Sequence, residues 1–270
     1  MNTRWIKSLL RWISLHPVWR VGRVRVWGNR LRPPTFDRWL ALWLHRVGLI
    51  GAADRKFIET HVKLGTTVVD IGANQGLYTL LFSRLTGESG QVLAFEPDDL
   101  LHGALTENLA FNGARNVQPF HLALGAKRGA MTLYRSLLNS GDNRLSAKAA
   151  DEGPRQAVPV QIERLDEVLA GRRINFVKMD VQGWEMEVFR GMQGLLDAPA
   201  NARIAVYFEY WPQGLRDAGS EPDEPLAFLM ENGFTVRSIE GGRLSAEVRG
   251  AEDLLRRAPG NRYINLYAQR

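Results

Sequence analysis

The feature that most constrains the fold is an apolar run that stops at a glycine-rich turn and continues as a helical pattern. Residues Thr66 to Ile71 form a short β-branched run bounded by glycines, which is typical of a buried strand. From Gln75 to Leu85, leucines recur at helical spacing on one face. Gly72 and Gly76 let the main chain approach a ligand where a side chain would block it. The stretch therefore predicts the strand–turn–helix unit that presents backbone amides to ligands in α/β folds.

Two carboxylates indicate the kind of ligand. The turn reads D-x-G-x-N-x-G rather than G-x-G-x-x-G, and Asp70 would repel a pyrophosphate, so a dinucleotide does not fit. A second apolar run, Gln91 to Phe95, ends at Glu96, where open α/β folds place the carboxylate that binds ribose hydroxyls. The pair predicts a nucleoside ligand that also carries a positive group. The alternative is that Asp70 caps a helix and Glu96 is a solvated strand end.

Three motifs together resemble a known family. They are DIGANQG at residues 70–76, FEP at 95–97 and KMDVQGWE at 178–185, and their order and spacing fit from about Lys63 to Glu240. On these motifs the chain resembles FkbM-type S-adenosylmethionine-dependent methyltransferases. The resemblance implies an α/β, Rossmann-like class I methyltransferase fold, with a mostly parallel seven-stranded sheet flanked by helices. It also implies S-adenosylmethionine as cofactor and O-methylation of a small-molecule or sugar-like hydroxyl, including one on a lipid-linked product.

The cofactor is expected at the first turn and at the tip of the second strand, where the two carboxylates and the glycines converge. The predicted cofactor-binding residues are Asp70, Gly72, Ala73, Asn74, Gly76, Tyr78, Glu96, Pro97 and Asp180.

The chemistry is expected to use acids at the carboxyl ends of the predicted strands: Asp70, Glu96, Asp180 and Glu209. The cofactor explains the first two, which leaves Asp180 and Glu209 to deprotonate or orient the acceptor hydroxyl. Lys178 is two residues from Asp180 on a strand and so points to the same side, and Glu185 opens the next helix. The predicted catalytic residues are therefore Asp180, Glu209, Lys178 and Glu185. The alternative is an ion pair between strand and helix, and for Lys178 that structural role is the leading interpretation.

Composition excludes several other chemistries. The chain has no cysteine, so it lacks a thiolate metal site, a cysteine nucleophile and carbon methylation through a cysteine adduct. Its five histidines show no metal-binding spacing. Asp180, Glu185 and Glu209 could hold a divalent cation through oxygen, but nothing in their spacing requires one, and no metal is predicted.

A long polar segment, Leu138 to Gln156, is the expected acceptor loop, because long connections in compact domains usually serve a function or stay disordered. Its predicted substrate-binding residues are Asn139, Asp142, Asn143 and Arg144. The alternative is a flexible surface loop.

The positive charge is confined to the beginning of the chain. Residues 1–50 contain ten Arg or Lys and one acid, whereas the other 220 residues carry a net charge of −3. The catalytic part is therefore not basic, and no nucleic-acid partner is expected. Two alternatives stay open: an RNA methyltransferase, although the N/D-P-P-Y/F tetrapeptide of amino-methylating enzymes is missing, and a nonenzymatic assembly subunit that keeps the fold.

We divide the chain into a basic, Trp-rich helical extension, residues 1–62, and a methyltransferase domain, residues 63–270. Six of eight tryptophans fall within the first 50 residues, and residues 4–15 form an amphipathic pattern too charged for a signal peptide and too short to span a bilayer. Residues 1–32 are expected to contact an anionic membrane surface, or to pack on the domain or on a second subunit. The expected location is the cytoplasm, peripheral at the inner membrane face if this arm binds lipid.

Overall fold

The computed structural model describes residues 22–257 and 263–270. The strands in this part of the chain are β1 (Val24–Val26), β2 (Asn29–Leu31), β3 (Thr67–Ile71), β4 (Gln91–Phe95), β5 (Val117–Phe120), β6 (Ala123–Leu124), β7 (Gly129–Ser136), β8 (Arg155–Glu163), β9 (Phe176–Met179), β10 (Ala205–Tyr210), β11 (Thr235–Glu240), β12 (Arg243–Glu247) and β13 (Ile264–Gln269). Its α-helices are α1 (Phe36–Arg46), α2 (Ala52–His61), α3 (Leu77–Thr86), α4 (Asp99–Asn112), α5 (Leu165–Val168), α6 (Glu185–Gly191), α7 (Gln193–Asp197), α8 (Pro212–Asp217), α9 (Glu224–Glu231) and α10 (Ala251–Arg257).

The main sheet has the strand order β12-β11-β13-β10-β9-β3-β4-β5. Strands β10, β9, β3, β4 and β5 pair in parallel, whereas β13 runs antiparallel between β10 and β11. The predicted mostly parallel α/β sheet is confirmed, but it has eight strands rather than seven. The additional strand, β12, returns from β11 through Gly241 and Gly242, whose φ angles of 57° and 77° favour a tight hairpin.

Most side chains of the central strands are apolar and buried because helices cover both faces of the sheet. In β3, Val69 and Ile71 pack into the core on one side, and Val68 packs into the core on the other. The parallel register of β3 with β9 pairs Asp70 with Lys178, so these two charged residues lie side by side within the sheet. The chain leaves β3 towards β4 and β5 and then returns to β9 on the other side of β3. Ligands of open α/β sheets bind at such a reversal.

The beginning of the described chain is a β-hairpin followed by two helices. Helices α1 and α2 lie within residues 1–62, the extension predicted to be helical, but residues 24–31 of that extension pair as strands. Trp27 and Gly28 form the turn with φ angles of 50° and 88°. Val26 and Leu31 share a hydrophobic core with Leu105, so the hairpin packs on the domain.

The amphipathic segment 4–15 and the tryptophans Trp5, Trp12 and Trp19 lie outside the described residues. The division of the chain at residue 62 stays a prediction. In the described ranges, no helix has the length and apolarity needed to cross a membrane.

A small sheet with the order β6-β8-β7 carries the predicted acceptor loop. Strand β7 pairs antiparallel with β8, and the loop between them covers residues 137–154. The loop contains a short 3-10 helix, Ala147–Asp151, and it reaches back to the first residues of helix α1.

Candidate active site

A cavity lies at the carboxyl ends of β3, β4 and β9, at the reversal of the strand order. Its volume is about 1130 Å³ with the open mouth included. The wall is formed by several parts of the chain: residues 71–75, 77 and 78, residues 95–97, Leu101 of α4, residues 122–124, Leu133 of β7, the loop after β7, residues 178–184, and one face of helix α1.

The turn after β3 is shaped by close approach of the main chain. Gly72 has a φ of 75°, and a Cβ at this position would lie 2.0 Å from the carbonyl oxygen of Asp180. Asn74 also adopts a left-handed conformation, with φ 53°, and its side-chain oxygen accepts a hydrogen bond from the backbone N–H of Gln75. The backbone N–H of Asn74 donates to Glu96 at 2.7 Å, so the turn is fastened to the tip of β4.

Glu96 is a buried carboxylate in the cavity wall, with 5% of its surface exposed. One of its oxygens accepts from the backbone N–H of Asp98 at 3.0 Å, and the other accepts from Asn74. Burial raises the pKa of Glu96 to about 7, although these backbone hydrogen bonds oppose the shift. Each carboxylate oxygen has a further lone pair, so Glu96 can also accept hydrogen bonds from ligand hydroxyls.

Asp70 does not reach the cavity, contrary to the prediction that it contacts the cofactor. Its carboxylate is fully buried behind the wall, where it accepts from Thr79 Oγ1 at 2.6 Å and lies 3.5 Å from Lys178 Nζ. Burial raises the pKa of Asp70, and the charge of Lys178 acts against that shift. Gly76 also lies behind the wall, where a Cβ would meet Leu105 at 2.8 Å. The other predicted cofactor-binding residues line the cavity: Gly72, Ala73, Asn74, Tyr78, Glu96, Pro97 and Asp180.

Lys178 connects the buried carboxylate of Asp70 with the cavity. Its Nζ lies 3.7 Å from Asp180 Oδ2 and donates to the carbonyl oxygen of Gly72 at 3.3 Å. Burial alone would lower the pKa of Lys178, but the neighbouring carboxylates raise it, so the ammonium stays charged. Lys178 therefore holds the carboxylates in place, as its structural interpretation predicts, while part of it lines the cavity.

Asp180 and Glu209 are brought together by one amide. The Nε2 group of Gln182 donates to Asp180 Oδ1 at 2.7 Å and to Glu209 Oε2 at 2.9 Å. Burial, followed by the charge of Asp180, raises the pKa of Glu209 well above its usual range. The side chain of Asp180 is 39% exposed and lines the cavity. Gln182, which was not among the predicted site residues, joins the two acids.

Glu185 is not part of the predicted catalytic cluster. Its side chain is buried and points at its own turn, where Oε1 accepts from the backbone N–H groups of Val181 and Gly183 at 3.3 Å each. Burial raises the pKa of Glu185 to about 7. The residue opens helix α6, and its carboxylate accepts from the amides of the turn that precedes that helix. Glu185 therefore shapes the turn that carries Gln182 without lining the cavity.

Only Asn143 of the four predicted substrate-binding residues lines the cavity. Asp142 pairs instead with Arg144 at 2.5 Å and with Arg155 at 2.6 Å, so these charges hold the loop together. Asn139 accepts from Arg38 Nη2 at 2.8 Å. The loop residues are occupied by contacts within the protein because the loop folds back on β8 and helix α1.

Among the wall residues that were not predicted are Arg38 and His45 of helix α1, which lie outside the motifs, and Gln75 and Trp184, which lie inside them. Burial lowers the pKa of His45 to about 4, so its imidazole is neutral at neutral pH. The backbone oxygen of Arg38 accepts from Gln75 Nε2 at 3.5 Å, which joins the roof helix to the first turn. Gln75 lies inside the glycine turn motif, so its position could have been predicted. Arg38 and His45 could not, because tertiary packing alone brings helix α1 over the cavity.

The wall fits S-adenosylmethionine. Glu96 offers a carboxylate to hydroxyl groups. Gln75 is a second polar residue of the wall, and it is only 4% exposed. Its side-chain oxygen has no hydrogen-bond partner in the described protein. Apolar side chains that suit a flat base line another part of the cavity: Leu101, Leu122, Leu124, Leu133 and Leu145. Glu96 matches the ribose hydroxyls of the cofactor, Gln75 matches its polar tail, and the leucines match its adenine.

The acids do not form a metal site. Among residues 22–257 and 263–270, no group of three or more His, Cys, Asp or Glu side chains could hold a metal ion. Asp180 and Glu209 meet through Gln182, while Glu185 points at backbone amides, so the oxygen site considered for these three acids does not form.

Comparison with known proteins agrees with the motifs and the geometry. The model of the methyltransferase FkbM domain matches residues 70–236. Methyltransferase sdnD of Sordaria araneosa is 31% identical over 200 residues, which cover 63% of this chain and 73% of that protein. Methyltransferase 1 of Beauveria bassiana (strain ARSEF 2860) is 31% identical over 144 residues, 46% of this chain, and the chain spans only 57% of that relative's length.

A likeness is also found among solved structures. Fibrillarin of Aeropyrum pernix, in complex with natively bound S-adenosyl-L-methionine, aligns with a TM-score of 0.46 and 15% identity over 82% of this chain and 73% of that one. The strand order, the cavity and the family match lead to one assignment: the chain belongs to the FkbM family of S-adenosylmethionine-dependent methyltransferases, with the class I α/β fold.

Proposed function

We propose that this protein methylates a hydroxyl group of a small molecule, a sugar or a lipid-linked natural product. The observation that carries the proposal is the pair of carboxylates, Asp180 and Glu209, held by Gln182 beside the charged Lys178. A hydroxyl has to lose its proton during methyl transfer, and a carboxylate within reach of the acceptor can take it. S-adenosylmethionine, when bound, supplies an electrophilic methyl group.

In this mechanism Asp180 accepts the proton of the acceptor hydroxyl at its carboxylate. Gln182 fixes that carboxylate by its hydrogen bond to Oδ1, and Lys178 contacts Oδ2 at 3.7 Å, so both oxygens have a defined orientation. Burial and the charge of Asp180 raise the pKa of Glu209, which favours its protonated form. Holding Asp180 in this way lowers the activation barrier of methyl transfer, because the reacting groups lose little freedom on the way to the transition state.

The cofactor is expected to use the opposite part of the wall. Glu96 would accept from the ribose hydroxyls, and the turn from Gly72 to Asn74 would receive the polar tail close to the main chain. Helix α1 covers this region with Arg38, Ala41 and His45, which helps to exclude water from the reaction.

We propose a small acceptor rather than a nucleic acid. Residues 51–270 carry a net charge of −3, and the catalytic pair adds negative charge next to the cavity. Both would repel a phosphate backbone. An acceptor with several hydroxyls suits a wall in which Ser140 and Asn143 supply further hydrogen-bonding groups.

The substitution Asp180→Asn tests the proposal. Cell extracts are first screened with methyl-labelled cofactor to find an acceptor, and the rate is then measured on that acceptor. We expect the rate of methyl transfer to fall by about 10²–10⁴-fold, the usual contribution of a general base, while cofactor affinity measured by calorimetry stays within a few-fold. Asp151→Asn is the matched control, because Asp151 is an exposed acid that does not line the cavity.

Two results would contradict the proposal. If Asp180→Asn keeps a rate within a few-fold of the natural protein, Asp180 is structural and the proton is taken elsewhere. If the natural protein fails to bind S-adenosylmethionine, a nonenzymatic role has to be considered instead.

A further inference from the structure

Helix α1 has two faces of different character. Arg38, Ala41 and His45 recur at helical spacing and line the cavity. Trp43 and Val47 lie on the other side of the helix, where 43% and 47% of their surfaces are exposed. The helix is therefore a roof, with one face towards the cavity and an apolar face towards the outside.

The exposed apolar surface continues beyond both ends of this helix. Leu49 and Ile50, in the connection that follows it, are 70% and 40% exposed. Near the start of the helix, Leu137 and Leu138 are 61% and 72% exposed, in the loop that binds Arg38. We call these side chains, with Leu100 at 48% exposure, the roof patch: Trp43, Val47, Leu49, Ile50, Leu100, Leu137 and Leu138.

The roof patch is unusual for the exposed surface of this protein. It includes seven of the eleven large hydrophobic residues that are exposed in the described chain. Exposed apolar side chains concentrated in this way usually mark an interaction site.

The charge of the described residues before β3 selects the partner. Residues 22–50 contain six arginines and one acid, a net charge of +5, whereas residues 51–270 carry −3. The one acid of residues 1–50, Asp37, is already used, since it accepts two hydrogen bonds from Ser140 and contacts Arg38 at 3.0 Å. Arg46 is exposed beside Trp43 and Val47. Positive charge next to exposed indole and aliphatic side chains is the combination that binds an anionic lipid interface.

We propose that the roof patch docks on the surface of an anionic lipid bilayer, with the roof helix lying along that surface. Trp43, Leu49 and Ile50 would enter the headgroup region, and Arg46 would meet lipid phosphates or carboxylates. Trp27 does not take part, because it is buried at 8% exposure and packs against His45 and Tyr78. This docking is independent of the proposed methyl transfer, because it requires neither cofactor nor acceptor.

The test is cosedimentation of the full chain with vesicles of phosphatidylcholine and phosphatidylglycerol, and with vesicles of phosphatidylcholine alone. We expect binding to the anionic vesicles that weakens as salt is raised. The triple variant Trp43→Gln, Leu49→Gln, Ile50→Gln should bind at least about tenfold more weakly, because three inserted apolar side chains are lost. Leu64→Gln is the matched control. Leu64 is 75% exposed and precedes β3, at the end of that strand opposite to the end that carries the cavity.

A second variant, Arg46→Glu, reverses one exposed charge without changing an apolar side chain. It should weaken binding to anionic vesicles several-fold and leave the thermal unfolding temperature unchanged. Three results would overturn the proposal: a natural protein that ignores anionic vesicles, triple and Arg46→Glu variants that bind like it, or a natural protein that is a dimer while the triple variant is a monomer. The last result would identify the roof patch as an interface between two copies of this chain.

Discussion

The substitution Glu96→Gln should remove a pH dependence from cofactor binding. Burial raises the pKa of Glu96 to about 7, so its carboxyl changes charge in the neutral range. A hydroxyl group donates a stronger hydrogen bond to a carboxylate than to a carboxylic acid. The ionised form should therefore bind the ribose better, and cofactor affinity should rise as the pH rises through about 7.

The size of the effect follows from the pKa. At about one pH unit below it, roughly one molecule in eleven has Glu96 ionised, so affinity should be about tenfold weaker than on the plateau above the pKa. A tenfold change corresponds to about 1.4 kcal/mol. In Glu96→Gln the change of affinity with pH should be lost. The free energy of cofactor binding should also weaken by about 1.5–3 kcal/mol at high pH, since hydrogen bonds to a charged group disappear.

The assay is calorimetric titration with S-adenosylmethionine at about pH 6, about pH 7 and about pH 8, spaced around the expected pKa. The amino group of the cofactor titrates equally in every variant. A difference between variants in the slope of affinity against pH therefore reports on Glu96. Thermal unfolding is measured alongside, because the amide of Gln can accept from only one of the two backbone N–H groups that Glu96 satisfies.

Glu185→Gln is the matched control. The pKa of Glu185 is also raised to about 7 by burial, but its carboxylate binds its own turn and does not line the cavity. This variant should keep the pH slope of the natural protein. The reasoning is refuted if Glu96→Gln keeps that slope, or if Glu185→Gln is the variant that loses it.

Two further predictions concern stability, both measured by chemical denaturation. Gly72→Ala should lower the free energy of unfolding by more than about 2 kcal/mol, since its Cβ would lie 2.0 Å from the carbonyl oxygen of Asp180. Gly113→Ala is the control and should lower it by about 1 kcal/mol, because Gly113 has a φ of 66° but open space around it. Equal losses in the two variants would contradict the role of the close approach. Lys178→Met should lower the free energy of unfolding by about 3–5 kcal/mol, because Asp70 is left buried without its cation. Adding Asp70→Asn should recover part of that stability. A double variant no more stable than Lys178→Met would contradict this prediction.

The sequence predicted the elements whose signals are local. The strand–turn–helix unit at Gly72 was predictable because the ligand turn needs glycine where the main chain comes close to Asp180. The position of Glu96 followed from the order of strands in an open α/β sheet. Asp180 and Glu209 could be placed together because both lie at the carboxyl ends of neighbouring parallel strands, β9 and β10.

The remaining features depend on tertiary contacts that no spacing encodes. Arg38 and His45 enter the site because helix α1, well before the first motif, packs over the cavity. Arg144 was expected to bind substrate, but Asp142 and Glu152 satisfy its charge within the loop. A charged residue beside a site has two ways to be satisfied, by a ligand or by the protein, and a sequence does not distinguish them.

The atom that receives the methyl group tests the central claim most directly. The natural protein is incubated with carbon-13 methyl-labelled S-adenosylmethionine and the acceptor found by screening, and the product is examined by nuclear magnetic resonance. We predict a labelled methyl carbon bonded to oxygen, at a rate that Asp180→Asn lowers by about 10²–10⁴-fold. A methyl carbon bonded to nitrogen or carbon, or a product formed equally well by Asp180→Asn, would contradict a hydroxyl methyltransferase that uses Asp180 as its base.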